Sequence, residues 1–429
     1  MGDIMPIADN DVFPLLVSKT VQSIRRQTRG APADSLQQMK HVPIIELVNE
    51  VIEEAIRCNA SDIHVEPDGE AVRLRFRVDG VLCERHEPLP QEVHAFFVSR
   101  LKIMGGLDIA EHRLPQDGRI FYPYGGEEVD IRMSTLPLLT GEKVVLRLLN
   151  DKRHLLQFSE LAFSARNDRV FRRLCRMPGG LLLLTGPVNS GKTTTLYAAL
   201  QLLDAAKCNI VTLEDPVEYK LRGINQLQVN HKVQMDFAAG LRAVLRQDPD
   251  AIMLGEIRDE ETAEMAVRAA LTGHLLFSTL HTGSAVGAVS RMLEMGIAPY
   301  LFAASVLGVV AQRLVRRLCP NCRHPYYPEA DSREAAFLGE YYHPGICLYH
   351  GDGCPDCGYS GYRGRLAVQE LLCMDENLRQ AVLEESPTSS LQALAAAAGM
   401  ASLREDGIAK ALAGLTSLSE VGRVLYGEL

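Results

Sequence analysis

The chain has 429 residues, a length that suits two to four domains of ordinary size. Lys+Arg 45 against Asp+Glu 54 gives a formal net charge of −9, and 47% of the residues are hydrophobic, enough to fill complete cores. That balance excludes a chain made basic throughout for nucleic acid; it leaves room for a local basic patch, and no direct nucleic-acid partner is expected.

The opening run MGDIMPIADNDVF carries acids where a secretory signal carries Lys or Arg. The longest nearly apolar stretch, residues 297–311, contains Pro299 and Ser305 and falls short of the about 20 residues that span a bilayer, so it reads as a buried helix. The expectation is a cytoplasmic protein that reaches a membrane only through a partner. Ten cysteines are too few for a disulfide scaffold. Four fall in two Cys-x-x-Cys pairs, which in a reducing compartment point to metal. Cys58, Cys83, Cys175, Cys208, Cys347 and Cys373 are scattered, as core cysteines are.

In chain order, residues 1–40 read as an extension or linker: Phe13, Val17, Val21 and Ile24 share one helix face, and residues 29–35 follow as a linker. An amphipathic helix then starts at Pro43, with Ile44, Ile45, Leu47, Val48, Val51, Ile52, Ala55 and Ile56 as its apolar positions. Strict alternation over residues 72–78, broken by Asp79-Gly80 and resumed at Val81, predicts a β-hairpin. Further strands are predicted at 118–122, 129–134 and 143–149, so residues 41–150 form an α+β domain. Beyond a charged, helical stretch, apolar runs at 181–185, 210–213, 251–254 and 275–279 alternate with helical segments at 194–206 and 260–271. This βα alternation predicts a doubly wound parallel sheet over residues 151–429, with sites at the strand C-termini. The cysteine pairs lie within 319–357, and short helices are expected over 366–429.

The strongest signal is Gly186-Pro187-Val188-Asn189-Ser190-Gly191-Lys192-Thr193, followed by Thr194. It fits G-x-x-x-x-G-K-[ST] and stands between an apolar strand and a helix, as a phosphate loop must. Backbone N–H groups wrap the phosphates, Lys192 reaches the β/γ-phosphates, and the Thr193 hydroxyl ligates Mg²⁺. A carboxylate past a neighbouring strand should complete the site. Glu256 follows the run 252–254, and Glu214 with Asp215 follows 211–213. His281, beyond a buried strand, is placed to sense a γ-phosphate, whereas His274 precedes the same strand. Cys319-Pro-Asn-Cys322 and Cys354-Pro-Asp-Cys357 supply four thiolates for a closed tetrahedral zinc site, stabilising rather than catalytic.

These motifs, in this order, resemble the type II secretion and type IV pilus assembly ATPases, the GspE/PilB-like secretion-superfamily ATPases. The resemblance runs from about Val42 to the C-terminus. It includes Ala60-Ser-Asp-Ile-His-Val-Glu-Pro67, Leu114-Pro-Gln-Asp-Gly-Arg119, Val129-Asp-Ile-Arg-Met-Ser-Thr135 and Leu213-Glu-Asp-Pro-Val-Glu218. It continues through Arg246-Gln-Asp-Pro-Asp-Ala-Ile-Met-Leu-Gly-Glu-Ile-Arg-Asp259, Thr272-Gly-His-Leu-Leu-Phe-Ser-Thr-Leu-His-Thr282 and Gly361-Tyr-Arg-Gly-Arg365.

The resemblance implies a RecA-like P-loop NTPase core with an N-terminal α+β (PAS-like) domain, a four-cysteine zinc element and a helical C-terminal region. It further implies a homo-hexameric motor that hydrolyses ATP to drive pseudopilus or pilus assembly, peripheral to the inner membrane. An inner-membrane platform protein and a membrane anchor with a cytoplasmic domain would be its partners. Glu256 takes the Walker B position, Glu214 and Asp215 the Asp box, and His274 and His281 the His box. By the same resemblance, arginines of the N-terminal domain reach nucleotide when the ring closes, with Arg119 and Arg132 first and Arg113 and Arg147 behind them. The alternatives are the motor of a DNA-uptake pseudopilus and a non-hydrolysing nucleotide-binding scaffold.

Two departures stand out. Asn189 replaces the glycine usual at the fourth loop position, and Asn tolerates positive φ better than most residues. Only about 40 residues precede the match, where secretion and pilus-extension members carry a further docking domain. The cysteine pairs argue against the pilus-retraction subgroup, which generally lacks them.

Overall fold

The computed structural model describes residues 12–28, 43–149 and 156–427. The linker expected at 29–35 and the boundary expected at 150/151 lie outside the described residues. Two compact units emerge. The first takes the described residues up to 149 together with Cys319–Cys322 and Gly351–Arg363; the second takes the rest of the chain. Both cysteine pairs thus group with the N-terminal part of the chain, which their sequence position does not reveal.

In the first unit, α1 (Val12–Thr28) and α2 (Pro43–Arg57) lead into β1 (Ala60–Pro67), β2 (Ala71–Val78), β3 (Val81–Glu84) and β4 (Leu89–Pro90). Then come α3 (Gln91–Gly105), β5 (Gln116–Tyr124), β6 (Glu127–Leu138) and β7 (Gly141–Leu149). The strands form an antiparallel sheet in the order β3-β2-β1-β7-β6-β5, with β4 beside β2. Ile44, Leu47, Val48, Val51, Ile52 and Ala55 of α2 are buried, as their spacing predicts. On α1 the buried stripe is Phe13, Leu16, Thr20 and Ile24, with Val17 and Val21 packed at its edge. Asp79 and Gly80 both take positive φ, +48° and +87°, as a tight two-residue hairpin requires. The strands alternate strictly: Val72, Leu74 and Phe76 face the core, while Arg73, Arg75 and Arg77 face away.

The second unit contains α4 (Ala165–Leu174), β8 (Gly180–Thr185), α5 (Lys192–Leu200), β9 (Ile210–Glu214), β10 (Asn225–Gln228) and α6 (Phe237–Val244). It continues with β11 (Ala251–Leu254), α7 (Glu260–Leu271), β12 (Leu275–Leu280), α8 (Ala285–Glu294), α9 (Pro299–Ser305) and β13 (Val306–Leu318). After these come β14 (Arg323–Tyr326), α10 (Arg333–Leu338), β15 (Leu348–Gly351), β16 (Tyr362–Cys373) and helices α11 (Glu376–Leu383), α12 (Thr388–Ala397), α13 (Leu403–Leu412) and α14 (Leu418–Tyr426). The main sheet runs β10-β9-β11-β12-β8-β13-β16, and the pairings from β10 through to β13 are parallel.

Why β8 reads as an unbroken apolar run is now plain. Leu181 and Leu183 belong to the core on one face of the sheet, and Leu182 and Leu184 to the core on the other. Both faces of a parallel strand are covered, so neither set of side chains can be polar. The same division separates Ile252 and Leu254 from Ala251 and Met253 on β11.

The helix expected over 297–311 is corrected. Pro299 opens a short helix, α9, that ends at Ser305, and Val306 begins the long strand β13. Val306, Val309 and Val310 are β-branched and pair in register with β8, a tertiary partnership that an apolar run does not announce. The C-terminal helices likewise begin later than 366, because residues up to Cys373 belong to strand β16. Among the described residues no helix is long and apolar enough to cross a membrane.

Candidate functional site

The phosphate loop leaves the C-terminal end of β8, between β12 and β13. Gly186 has φ +153°, and a Cβ there would lie 2.5 Å from the Gln312 carbonyl oxygen and 2.6 Å from Ser190 Oγ, so only glycine fits. Asn189 stands at φ +64°, the left-handed conformation that the sequence departure demands of it. Pro187, Val188 and Asn189 are exposed, Ser190 is buried, and Gly191 caps α5 without a side-chain acceptor. The first-turn N–H groups of α5 are therefore available to an anion, with no acidic residue among them. Thr193 and Thr194 lie exposed in that turn. Buried Ser190 Oγ has no hydrogen-bond partner among the described residues.

Lys192 is nine-tenths buried, and its ammonium donates to the Gly186 and Pro187 carbonyls at 2.7 and 3.0 Å. Burial lowers its pKa, Glu256 works against that and nearby Arg313 adds to it, bringing the group down to about 8. Glu256, just past β11, accepts from Arg258 Nη2 at 2.6 Å and lies 3.6 Å from His281 Nε2. The Arg258 hydrogen bond holds the Glu256 carboxyl below the usual range against its partial burial. Burial and the neighbouring Lys192 hold His281 below the usual imidazole value, so its ring is neutral at pH 7. Asp215, 3.5 Å from His231, also acts electrostatically on Arg258. Lys192, Glu256 and His281 are thus gathered at one end of the sheet, with Asp215 at the margin.

Two residues expected at this site are placed otherwise. Glu214 is buried at the end of β9, and its carboxylate accepts from Tyr197 Oη, from Thr212 Oγ1 at 2.6 Å and from Gln226 Nε2 at 3.1 Å. His274 is at the start of β12, the end that pairs with Gly180, and its Nδ1 lies 3.1 Å from the Ala269 carbonyl. The phosphate loop is at the opposite end of that strand pair.

Gln312, which the sequence reading passed over, ties this frame together. Fully buried on β13, it donates to Ser190 O at 2.7 Å and accepts from Thr195 Oγ1 at 2.9 Å and Gln369 Nε2 at 3.0 Å. The signal available was a glutamine directly after the apolar run, in a stretch read as helix.

In the first unit, the arginines form a row. Arg119 pairs across strands with Arg132, Arg132 with Arg147, Arg147 with Asp62, and Asp62 with Arg77. All lie on the face away from the core. Arg119 is ion-paired with Asp130, and Asp62 takes Arg147 at 3.1 Å and Arg77 at 3.7 Å. Arg132 has no carboxylate partner among the described residues. Arg113 pairs with Glu111 at 2.8 Å in the loop before β5.

Cys319, Cys322, Cys354 and Cys357 bring their sulfurs within 4.8 Å of one another. Three of the separations are 3.8, 3.8 and 3.7 Å. A tetrahedron with Zn–S bonds of about 2.3 Å has edges of about 3.8 Å, so the donor set fits zinc, whereas a disulfide would need sulfurs about 2 Å apart. Backbone makes this possible: a Cβ on Gly351 would lie 2.3 Å from the Gly361 carbonyl oxygen, so the two glycines let the segments flanking the second pair meet, and Cys319 N donates to Gly361 O at 2.9 Å. Burial opposes ionisation of Cys357, but N–H donors from Cys354 and Gly361 outweigh it and bring the thiol down to about 7.

A family model described as Type II/IV secretion system protein matches residues 37–423. The Type II secretion system protein E of Pseudomonas aeruginosa is 52% identical over 395 residues, covering 92% of this chain and 78% of the relative. The Type II secretion system ATPase E of Vibrio cholerae is 48% identical over 417 residues, 97% of this chain and 80% of that one. Among solved structures, the pilus retraction motor PilT with bound ADP aligns with a TM-score of 0.56 at 25% identity, over 87% of this chain and 95% of its own. The Legionella pneumophila ATPase DotB aligns at 0.65 and 19% identity over 91% and 97%, a likeness of fold alone. The α/β fold, the phosphate loop with its lysine and carboxylate, and this kinship agree: the chain belongs to the Type II/IV secretion system protein family and is one of its motor ATPases.

Proposed function

We propose that the chain acts as a homo-hexameric, Mg²⁺-dependent ATPase that drives pseudopilus assembly for type II secretion. The convergence of Lys192, Glu256 and His281 at the uncapped start of α5 carries this reading. The N–H groups of the loop and Lys192 hold the β- and γ-phosphates. Thr193 and the Glu256 carboxylate are the hard oxygen donors that suit Mg²⁺, which would neutralise phosphate charge. Glu256 orients the attacking water once Arg258 yields its oxygen, and neutral His281 registers the γ-phosphate beside it. Asp215 supports this arrangement through Arg258, and Glu214 and His274 act at a distance, through β9 and β12.

The N-terminal unit serves as the PAS-like partner module. Arg132, with Arg119 and Arg147 on either side and Arg113 in the neighbouring loop, supplies the cation that meets the phosphates of a neighbouring subunit's site. Zinc held by the four cysteines fastens two distant segments and supplies no chemistry, because a closed thiolate site has no open position. Function at the inner membrane would come through a platform protein and an anchor with a cytoplasmic domain.

The test is ATP turnover per subunit against protein concentration, with Mg²⁺ and with EDTA. Turnover that rises with concentration and vanishes with EDTA supports a ring whose sites are completed between subunits. ADP binding with no turnover at any concentration, even with the membrane partner added, would establish a scaffold instead.

A further inference from the structure

Among the described residues, Arg313 is a half-buried cation beside the phosphate loop that neither the motifs nor the proposed mechanism uses. It lies on β13 two residues past Ala311, which pairs with Thr185, the last residue before the loop. The carbonyl of its neighbour Gln312 would lie 2.5 Å from a Cβ on Gly186, so the Arg313 backbone stands beside the start of the loop. Both of its observed hydrogen bonds go to main-chain carbonyls: Nη1 to Gln312 O at 2.9 Å and Nη2 to Gly283 O at 2.8 Å. Gly283 belongs to the turn just after His281, so Arg313 bridges that turn and the strand flanking the loop.

No carboxylate stands within ion-pair distance of Arg313 among the described residues. Glu370 acts on it only from farther away, because its oxygens are engaged by the N–H groups of Ala285 at 2.6 Å and Leu403 at 3.3 Å. Burial depresses the Arg313 pKa, with Glu370 opposing it weakly, and Arg313 in turn depresses Lys192. Two desolvated cations thus lie close enough to act on one another, each resting on carbonyls. A guanidinium so placed exchanges neutral acceptors for phosphate oxygens with a large gain, since charge-assisted hydrogen bonds are roughly twice as strong as neutral ones.

We propose that Arg313 is a phosphate-binding residue of its own subunit's nucleotide site, gripping the polyphosphate chain from the β13 side and coupling it to the turn that carries His281. This rests on the nucleotide-site reading given above. The test is calorimetric binding of AMP, ADP and ATP to the full chain and to its Arg313→Gln and Arg313→Lys variants, with unfolding temperatures measured alongside.

The expected result for Arg313→Gln is ADP binding about tenfold weaker, with a loss that grows from AMP to ATP, an unchanged unfolding temperature and partial recovery in Arg313→Lys. Wild-type affinity for ADP and ATP in Arg313→Gln would overturn the proposal. So would an equal loss for all three nucleotides accompanied by a lower unfolding temperature in both variants, which would mark Arg313 as a brace for Gly283. A wild-type chain that binds none of the nucleotides would instead defeat the nucleotide-site reading itself.

Discussion

The phosphate loop and the cysteine cluster are each built from a short sequence signature, yet they satisfy their polar groups in opposite ways. At the loop, Lys192 rests on two carbonyls, Ser190 Oγ has no partner among the described residues and α5 starts without a side-chain cap. At the cluster, four sulfurs face one another at tetrahedral separations, with backbone donors closing around Cys357. Groups held by weak, exchangeable partners suit a ligand that arrives and leaves. A donor set that is already complete suits one that stays. The same contrast separates the two carboxylates: Glu256 is held by one exposed arginine, whereas Glu214 is locked among three donors, two of them buried.

The widest separation between these regions should come from the carboxylates. Glu256→Gln removes the charge proposed to orient water, and turnover should fall about 10²- to 10⁴-fold while ADP affinity and unfolding temperature hold. Glu214→Gln turns an amide donor toward the hydroxyls of Tyr197 and Thr212, which costs about 1–3 kcal/mol of stability. Its turnover should fall only as far as the folded fraction does. Steady-state rates and thermal melts on both variants would measure this. A Glu214→Gln chain that is fully stable yet inactive would make Glu214 a chemical participant despite its burial.

The cysteine cluster should respond the other way. Cys357→Ser should abolish zinc retention, measured as metal per chain by atomic absorption, and destabilise the first unit by several kcal/mol. Nucleotide binding in the second unit should persist. A chain that purifies without zinc and melts at the wild-type temperature would remove the structural role.

The difference between contiguous and assembled features also decides what the sequence reveals. Residues 186–193 and the Cys-x-x-Cys pairs could be read directly because their chemistry depends on neighbours along the chain. The same is true of β8, whose four leucines need burial on both faces. Gln312 and Arg313 could not be read, because their roles depend on β13 pairing with β8 from more than a hundred residues away. The apolar run 297–311 fits a helix or a strand equally well by periodicity, and only the pairing decides. The grouping of the cysteine segments with the N-terminal unit is hidden for the same reason. The arginine row is intermediate: alternation puts each arginine on the outer face, but register alone lines them up.

A smaller effect probes the open character of the loop through pH. Lys192 titrates near 8 in the free protein, lowered chiefly by burial, and a bound phosphate chain raises that value. The sign follows from linkage: binding takes up a proton only above about pH 8, so ADP affinity is fullest below 8 and declines above it. Between about pH 8 and 9.5 the expected loss is about tenfold. Lys192→Arg stays charged throughout and should give a flat profile, even if its affinity is lower. Calorimetry in buffers of matched ionic strength would show it, and a flat wild-type profile would mean that the lysine is charged in the free loop.

The smallest effect concerns Asn189. Its φ of +64° costs a β-carbon residue about 1–2 kcal/mol in general, less for Asn, whose short side chain suits that conformation. Asn189→Gly removes that cost but gives the unfolded chain more freedom, so the two changes oppose each other and stability should move by less than about 1 kcal/mol. Asn189→Ala has no such compensation and should lose about 1 kcal/mol or more. Because the residue is exposed, the glycine variant should shift ADP affinity and turnover by no more than about threefold. If Asn189 instead slows nucleotide exchange by stiffening the loop, Asn189→Gly should release ADP faster in a stopped-flow chase while the melting temperature stays put. The ratio of the two variants' release rates separates stiffness from strain: stiffness speeds release in Gly far more than in Ala, whereas strain makes Ala the faster of the two.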